Sequence, residues 1–291
     1  MTVEPATIEP RFGRRIKGPS AFGDGDLRRF VHLARTLAVT DWKLRFFGSV
    51  LGYVWQLMRP LLLFGVLYLV FTHVFRFGDD VDYYPAVLLM NVVLYTFFAE
   101  ATMGAVGSVV DRENLVRKIQ FPRMVIPLSV VLTAAFNFAV NFLAVFVFII
   151  AQGVPITWHW LWLVPLLAIL AFFCTGVAML VSALFVRFRD VRPIWEVVLQ
   201  ALFYATPIIY VVSSPQISEH THLRRLINLN PLTSILTQAR HELIGAHGAP
   251  TAAAAAGSWA WLLIPAAIVV GSFALGLWYF NREAPRIAEE L

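Results

Sequence analysis

The chain alternates long apolar runs with short polar stretches, and that alternation predicts most of its elements. Runs of about twenty apolar residues, lacking the strict period of two that barrel strands need, fit α-helical membrane spans. Six are expected, over residues 51–75, 86–106, 124–151, 161–186, 193–212 and 258–280. Pro60 lies inside the first and is expected to kink it, while Arg59 sits near one end, where its long side chain can snorkel. Pro193 opens the fifth, which carries Pro207 in its interior. The predicted fold class is an all-α polytopic membrane protein with six transmembrane helices.

The stretches between the runs differ in kind. Residues 1–26, with Pro5, Pro10, Pro19 and several basic side chains, read as a flexible tail without a secretory leader. Over residues 27–47, Phe30, Leu33, Ala34, Leu37 and Trp42 recur at helical spacing while Arg28, Arg29, His32, Arg35 and Lys43 fall largely elsewhere. That pattern predicts an amphipathic helix lying in the membrane surface, basic side chains toward anionic headgroups. SVVDRENLVRKIQFPRMVIP, residues 108–127, is a polar, helix-compatible island that stops at Phe121-Pro122, and a helix is expected over 108–119. Residues 213–257 are too polar for a span and too apolar for a solvated loop; interrupted by Pro215, Pro231 and Pro250, they predict one or two short helices at the external membrane face. Residues 282–291 form a short charged tail.

Composition fixes the class. A hydrophobic fraction of 59% and a charged fraction of 14% depart from the globular pattern of roughly 45–50% and about 25%. The net charge of +5 would raise nucleic acid as a partner of a soluble protein. Here the basic residues crowd the ends of apolar runs, so topology accounts for them and no nucleic-acid partner is expected. Of 23 Lys and Arg, ten precede residue 60, four lie in the island, three in residues 187–192 and two near the C-terminus, leaving Arg76, Arg224, Arg225 and Arg240 on the other side. Basic residues are retained in the cytoplasm, so both termini and the island are expected there.

Several chemistries are excluded. None of the three lysines follows a glycine, so no P-loop exists and the chain does not hydrolyse ATP through one of its own. G-x-S-x-G, H-E-x-x-H and C-x-x-C are likewise missing, and Cys174 stands alone. No cofactor or metal is expected on this chain. Glu100 is the main ionisable residue inside a span; it reads first as a structural hydrogen-bond acceptor in the bundle, with a role in transport as the alternative. Aromatic residues make up 14% of the chain. Trp55, Tyr95, Phe97, Phe98, Phe203, Tyr204 and Tyr210 are candidates for a carbohydrate path, since sugar C–H faces pack on rings; filling the bundle or an interfacial belt is the competing reading.

The order of segments resembles the permease subunit of ABC exporters that move lipid-linked polysaccharides such as O-antigens, teichoic acids and galactan. Three signatures carry the resemblance: Asn114-Leu115-Val116-Arg117-Lys118 followed by Phe121-Pro122-Arg123 and Pro127; Phe188-Arg189-Asp190-Val191 leading to Phe203-Tyr204 and Thr206-Pro207-Ile208-Ile209-Tyr210; and Leu229-Asn230-Pro231-Leu232 followed by Arg240. It implies a homodimer of six-span subunits joined to two copies of a separate ATPase that binds ATP and Mg. It further implies that the island is a coupling helix seated on the ATPase, with Asp111, Arg112, Glu113, Asn114, Leu115 and Lys118 as coupling residues. The N-terminal amphipathic helix would lie beside it, and residues 213–257 would supply external helices that help close the channel. The expected cargo is a polyprenyl-diphosphate-linked glycan crossing the bacterial inner membrane. Arg45, Arg59 and Arg189 are candidates to attract its diphosphate at the cytoplasmic mouth, although charge topology explains them equally well. Arg-rich, Ala-rich usage points toward a galactan precursor. A drug or lipid exporter of the same class, and a polyprenyl-dependent membrane glycosyltransferase, remain as alternatives.

Overall fold

The computed structural model describes residues 27–46, 50–74, 82–113, 121–210, 221–245 and 249–290. Among them, all regular structure is helical. The order is α1 (Leu27–Phe46), α2 (Val50–Tyr68) continued by a π-helical turn (Leu69–Val74), α3 (Tyr84–Val106), α4 (Val125–Ala151), α5 (Leu163–Arg187), α6 (Val191–Ala205), α7 (Thr221–Asn228), α8 (Pro231–Ile244), α9 (Ala252–Ala256) and α10 (Leu263–Glu290). Short 3-10 turns at Trp158–Trp162 and Trp259–Leu262 lead into α5 and α10. The tail expected over residues 282–291 is helical as far as Glu290, a continuation of α10. Residues 1–26 lie outside the described residues.

Among the described residues, five helical stretches are long and apolar enough to cross a membrane: Val54–Val74, Tyr84–Val106, Val125–Ala151, Trp158–Arg187 and Trp259–Glu283. The span expected over residues 193–212 is not found as one long helix among the described residues. Its helix, α6, has 15 residues, about 22 Å at 1.5 Å per residue, short of a hydrocarbon core of about 30 Å. The cause is Pro207. Thr206 before it is extended, φ −88° and ψ 139°, as the residue preceding a proline prefers, and the helix ends there. Pro60, by contrast, is absorbed within α2, which continues past it.

α3 is the centre of the bundle. Its residues are apolar on every side and most are buried, from Ala86 through Phe98 to Val106, which is how a fully enclosed helix reads. α4 and α5 flank it; the rings of Phe97 and Phe138 meet at 5.0 Å and those of Phe98 and Phe173 stack at 5.2 Å. α10 packs along α5 in the most extensive helix pair of the fold. α1 lies along α4, with Ala34 and Ala38 buried between them and Leu27, Val31 and Leu44 exposed. α2 leans on α3 with one side only; Leu51, Val54, Leu62, Val66 and Leu69 stay exposed.

The broken end of α6 needs partners for carbonyls that no helix satisfies, since unpaired backbone groups at depth are costly. It finds them where α3 begins. Tyr84 Oη donates to the Ile209 carbonyl at 2.8 Å and Asn91 Nδ2 to that of Ile208 at 3.1 Å. Arg240 on α8 donates to the carbonyls of Pro207 and Tyr210, each at 3.3 Å. α8 is itself started by Asn230, whose side chain caps Leu232 N–H at 3.0 Å and donates to Thr206 Oγ1 at 2.8 Å, with Pro231 in the first turn. Where one or two short helices are expected over residues 213–257, the described residues there form three, α7, α8 and α9, and α8 clamps the break.

Arg240 is 3% exposed, and burial pushes its guanidinium down from its ordinary value to about 10. That value still leaves it charged at neutral pH. Because the folded value is the lower one, the proton is disfavoured by folding, and stability linked to this group rises only as pH climbs through about 10 toward the ordinary arginine value. Arg240→Met would strand the Pro207 and Tyr210 carbonyls and is expected to cost about 2–3 kcal/mol. Denaturant titration of the detergent-solubilised protein between pH 6 and 9 checks this, with the loss constant across that range.

Candidate functional site

α2 and α3 diverge enough to leave a cavity of about 770 Å³ between them, within the range of ligand sites. Gly52, Trp55, Gln56, Arg59, Pro60 and Leu63 recur at three- and four-residue spacing, so α2 turns a single face toward the space. Tyr95, Thr96, Ala99, Glu100, Met103 and Gly104 do the same on α3. Arg45 at the end of α1 and Phe203 on α6 complete the wall.

The lining is graded. Arg45, Gln56, Arg59 and Glu100 make one part polar, and toward the start of α3 it becomes Leu63, Tyr95 and Phe203, the two rings meeting edge-on at 5.2 Å. Tyr95 Oη donates to the Leu199 carbonyl, which fixes the ring against α6. Trp55 is half exposed at the wall, and Arg59 makes no hydrogen bond or ion pair among the described residues.

A second cavity of about 250 Å³ shares Arg45, Glu100 and Gly104 with the first and continues past Asp41, Ser108, Asp111, Arg112 and Thr133. Glu100 stands where the two meet. Its Oε1 accepts from Arg45 Nη1 at 2.6 Å and from Asn137 Nδ2 at 2.5 Å, while Asn137 Oδ1 accepts from Trp42 Nε1 at 3.0 Å. Arg112, at the start of the island, pairs with Asp41 of α1 and donates from Nη1 to Ser129 Oγ of α4 at 3.0 Å. One ion pair thus ties α1 to α3 and a second ties it to the island, which Arg112 also fastens to α4 by a hydrogen bond.

The candidate residues divide sharply. Arg45, Arg59, Trp55, Tyr95 and Phe203 come together around the larger cavity. Phe97 and Phe98 do not; both are buried in the core, against Phe138 and Phe173. Tyr204 points outward, 72% exposed, and Tyr210 folds back so that its hydroxyl donates to the Ala205 carbonyl at 3.1 Å. Arg189 lies at the α5–α6 turn with its guanidinium over the Phe185 ring at 5.1 Å, away from the cavity. On the island, residues 108–112 form hydrogen-bonded turns and Glu113 N–H donates to the Val110 carbonyl at 3.1 Å. Asn114, Leu115 and Lys118 lie outside the described residues. Near the island's end, burial lowers the pKa of Arg123.

Sequence reasoning missed Asp41, Gln56, Ser129 and Asn137. A signal for Asn137 existed: an amide in the middle of an apolar run has to find a partner, because neither lipid nor a hydrocarbon core supplies one. Asp41 was also visible as a lone acid on a basic helix. Among the described residues, no cluster of His, Cys, Asp or Glu is arranged to hold a metal ion.

Comparison with known proteins points the same way. The ABC-2 type transporter family matches residues 32–243. The O-antigen export system permease protein RfbA of Myxococcus xanthus is 29% identical over 212 residues, covering 73% of this chain and 80% of that protein. Two proteins of the same name from Klebsiella pneumoniae are 31% and 30% identical over 201 residues, covering 69% of this chain and 75% of each. A multi-pass helical bundle and a family match spanning most of its helices make this chain a member of the ABC-2 type transporter family.

Proposed function

We propose that this chain is the membrane subunit of a bacterial inner-membrane exporter that carries a polyprenyl-diphosphate-linked polysaccharide outward, driven by a separate ATPase. The observation that carries the reading is the graded cavity, which pairs two arginines with a path of rings. A diphosphate-bearing lipid needs cationic donors at its headgroup, and a glycan of varied length needs weak, repeated contacts such as rings provide. The relatives named as O-antigen export permeases support polysaccharide as the cargo, and the Arg- and Ala-rich composition favours a galactan precursor among such cargoes.

The working unit is proposed to be a homodimer with two ATPase subunits, both termini of each chain in the cytoplasm. Two short α6 helices, each stopping at Thr206, would flank the dimer axis together with α7, α8 and α9 as external gate. α1 would lie in the cytoplasmic membrane surface. The island from residue 108 to 119 would seat on the ATPase, and closure of that partner on ATP and Mg would be passed on as a rigid-body push.

Depletion of the protein in its host is expected to make lipid-linked glycan accumulate on the cytoplasmic leaflet; unchanged export defeats the substrate assignment. The coupling assignment has its own measurement. Reversing both charges, Glu113→Lys with Lys118→Glu, is expected to abolish substrate-stimulated ATP hydrolysis by the copurified complex. Normal stimulation would remove these residues from the coupling contact.

A further inference from the structure

Arg45 faces the headgroup end of the larger cavity, yet it is not free. Its Nη1 is held at 2.6 Å by Glu100 Oε1, and its side chain remains half exposed to the space in front of it. Glu100 is more enclosed, with 25% of its side chain exposed, and it is braced from behind by Asn137 at 2.5 Å, itself held by Trp42 at 3.0 Å. Arg59 lines the same cavity with no hydrogen bond or ion pair among the described residues. One cation of the pair is therefore occupied by an internal carboxylate and the other is open.

We propose that the Glu100 carboxylate is a built-in counter-anion that occupies Arg45 until a phosphate-bearing headgroup displaces it, so that Glu100 moderates how tightly the cavity holds a phosphate-bearing headgroup and leaves neutral ligands unaffected. The proposal rests on the reading of this cavity as a headgroup site. The chemistry is a competition. Glu100 Oε1 takes the Nη1 donor of Arg45 and holds the guanidinium against α3, so a phosphate that draws Arg45 toward Arg59 competes with that carboxylate for it. A ligand without phosphate has nothing to exchange for the lost ion pair, and it leaves Arg45 where it is. A diphosphate bridges Arg45 and Arg59 together, a gain that outweighs the single carboxylate contact. Asn137 and Trp42 keep Glu100 in place once Arg45 has left, so the carboxylate stays available to take Arg45 back when the headgroup moves on. Glu100 is here a positioning residue: it acts on the ligand through Arg45.

The test uses the full chain in nanodiscs, titrated with farnesyl diphosphate, farnesol and inorganic pyrophosphate. Wild type is expected to bind farnesyl diphosphate in preference to farnesol, and binding of pyrophosphate alone would show how much of the affinity belongs to the free anion rather than to the lipid. Glu100→Gln keeps an acceptor for Asn137 and removes the competing charge. A partly exposed ion pair is worth up to about 1 kcal/mol, so Glu100→Gln is expected to tighten farnesyl diphosphate roughly two- to fivefold and leave farnesol unchanged. Arg45→Gln is expected to weaken it about tenfold, and in that background Glu100→Gln should bring no gain.

Equal tightening by Glu100→Gln with and without Arg45, or tightening for farnesol as well, overturns the counter-anion role while the headgroup site stands. No binding of farnesyl diphosphate by wild type, with thermal stability intact, overturns the site itself and the inference with it.

Discussion

Replacing Gly276 by valine is expected to eliminate the folded protein. α5 and α10 meet backbone to backbone at Gly176 and Gly276: a Cβ added at Gly276 would fall on the Gly176 carbonyl oxygen, and one added at Gly176 would lie 2.6 Å from Phe273 N. Neither neighbour is a side chain that can swing aside. In lipid, helices associate through close packing rather than through hydrophobic exclusion, so small residues at a crossing supply much of the contact. Forcing the pair apart would unstack Phe172 from Phe273, whose rings are 4.1 Å apart, and open the fold's most extensive helix pair. Overpacking of a tight core costs about 1–3 kcal/mol for small insertions, and a branched side chain against backbone belongs at or beyond the top of that range. Fluorescence-detected size exclusion after heating should show loss of the monodisperse peak for Gly276→Val. Gly271→Val, on the same helix but with nothing within 4 Å of the added Cβ, should leave the peak in place.

The second large effect is expected at the link between α1 and the island. Asp41 and Arg112 pair across the junction, and Arg112 also holds Ser129 of α4. If the island receives the push of the ATPase, this pair carries it to α1. Asp41→Arg then places two guanidiniums face to face, and export in cells is expected to fall about tenfold, the scale on which single residues modulate coupling between sites. The assembled complex should still copurify. Exchanging the pair, Asp41→Arg with Arg112→Asp, is expected to recover part of the loss and not all, because the Ser129 contact is not rebuilt; export unchanged in the single variant would show that the pair carries no coupling. A charge pair that is one-fifth to one-third exposed contributes little to stability by itself, so thermal midpoints near wild type should accompany the transport defect.

Prolines mark the boundary of what local reading could do. Pro60 and Pro207 both sit in apolar runs and both read as interior to a span. Pro60 is carried inside α2, while Pro207 ends α6 after 15 residues. The difference lies in what surrounds the freed carbonyls. Around Pro207, Tyr84, Asn91 and Arg240 reach in from α3 and α8 and make an open backbone tolerable. No window of neighbouring residues contains that information, since Arg240 is 33 positions away and Tyr84 more than a hundred.

The aromatic residues make the same point within the candidate site. Tyr95, Phe97 and Phe98 are nearly adjacent on α3, yet Tyr95 lines the cavity and the other two fill the core. On a helix that is apolar all round, hydropathy has no contrast from which to tell a wall from an interior. The polar residues carried more information, since each needs a partner, but the sequence could not say which.

By itself the sequence determined that this is an all-helical membrane protein, where five of its long helices run, that a further helix precedes them, and which family its island, RFRDV and LNPL signatures resemble. These are properties of hydrophobic runs, caps and short motifs, whose signals are complete within a few turns. The tertiary structure alone decided that α6 stops short, that Arg45 and Arg59 share a cavity with Trp55, Tyr95 and Phe203, and that Glu100 and Asp41 hold the arginines of α1 and the island. Those facts depend on side chains 55 to 125 positions apart meeting in space, and pairing over such distances is set by how whole helices pack.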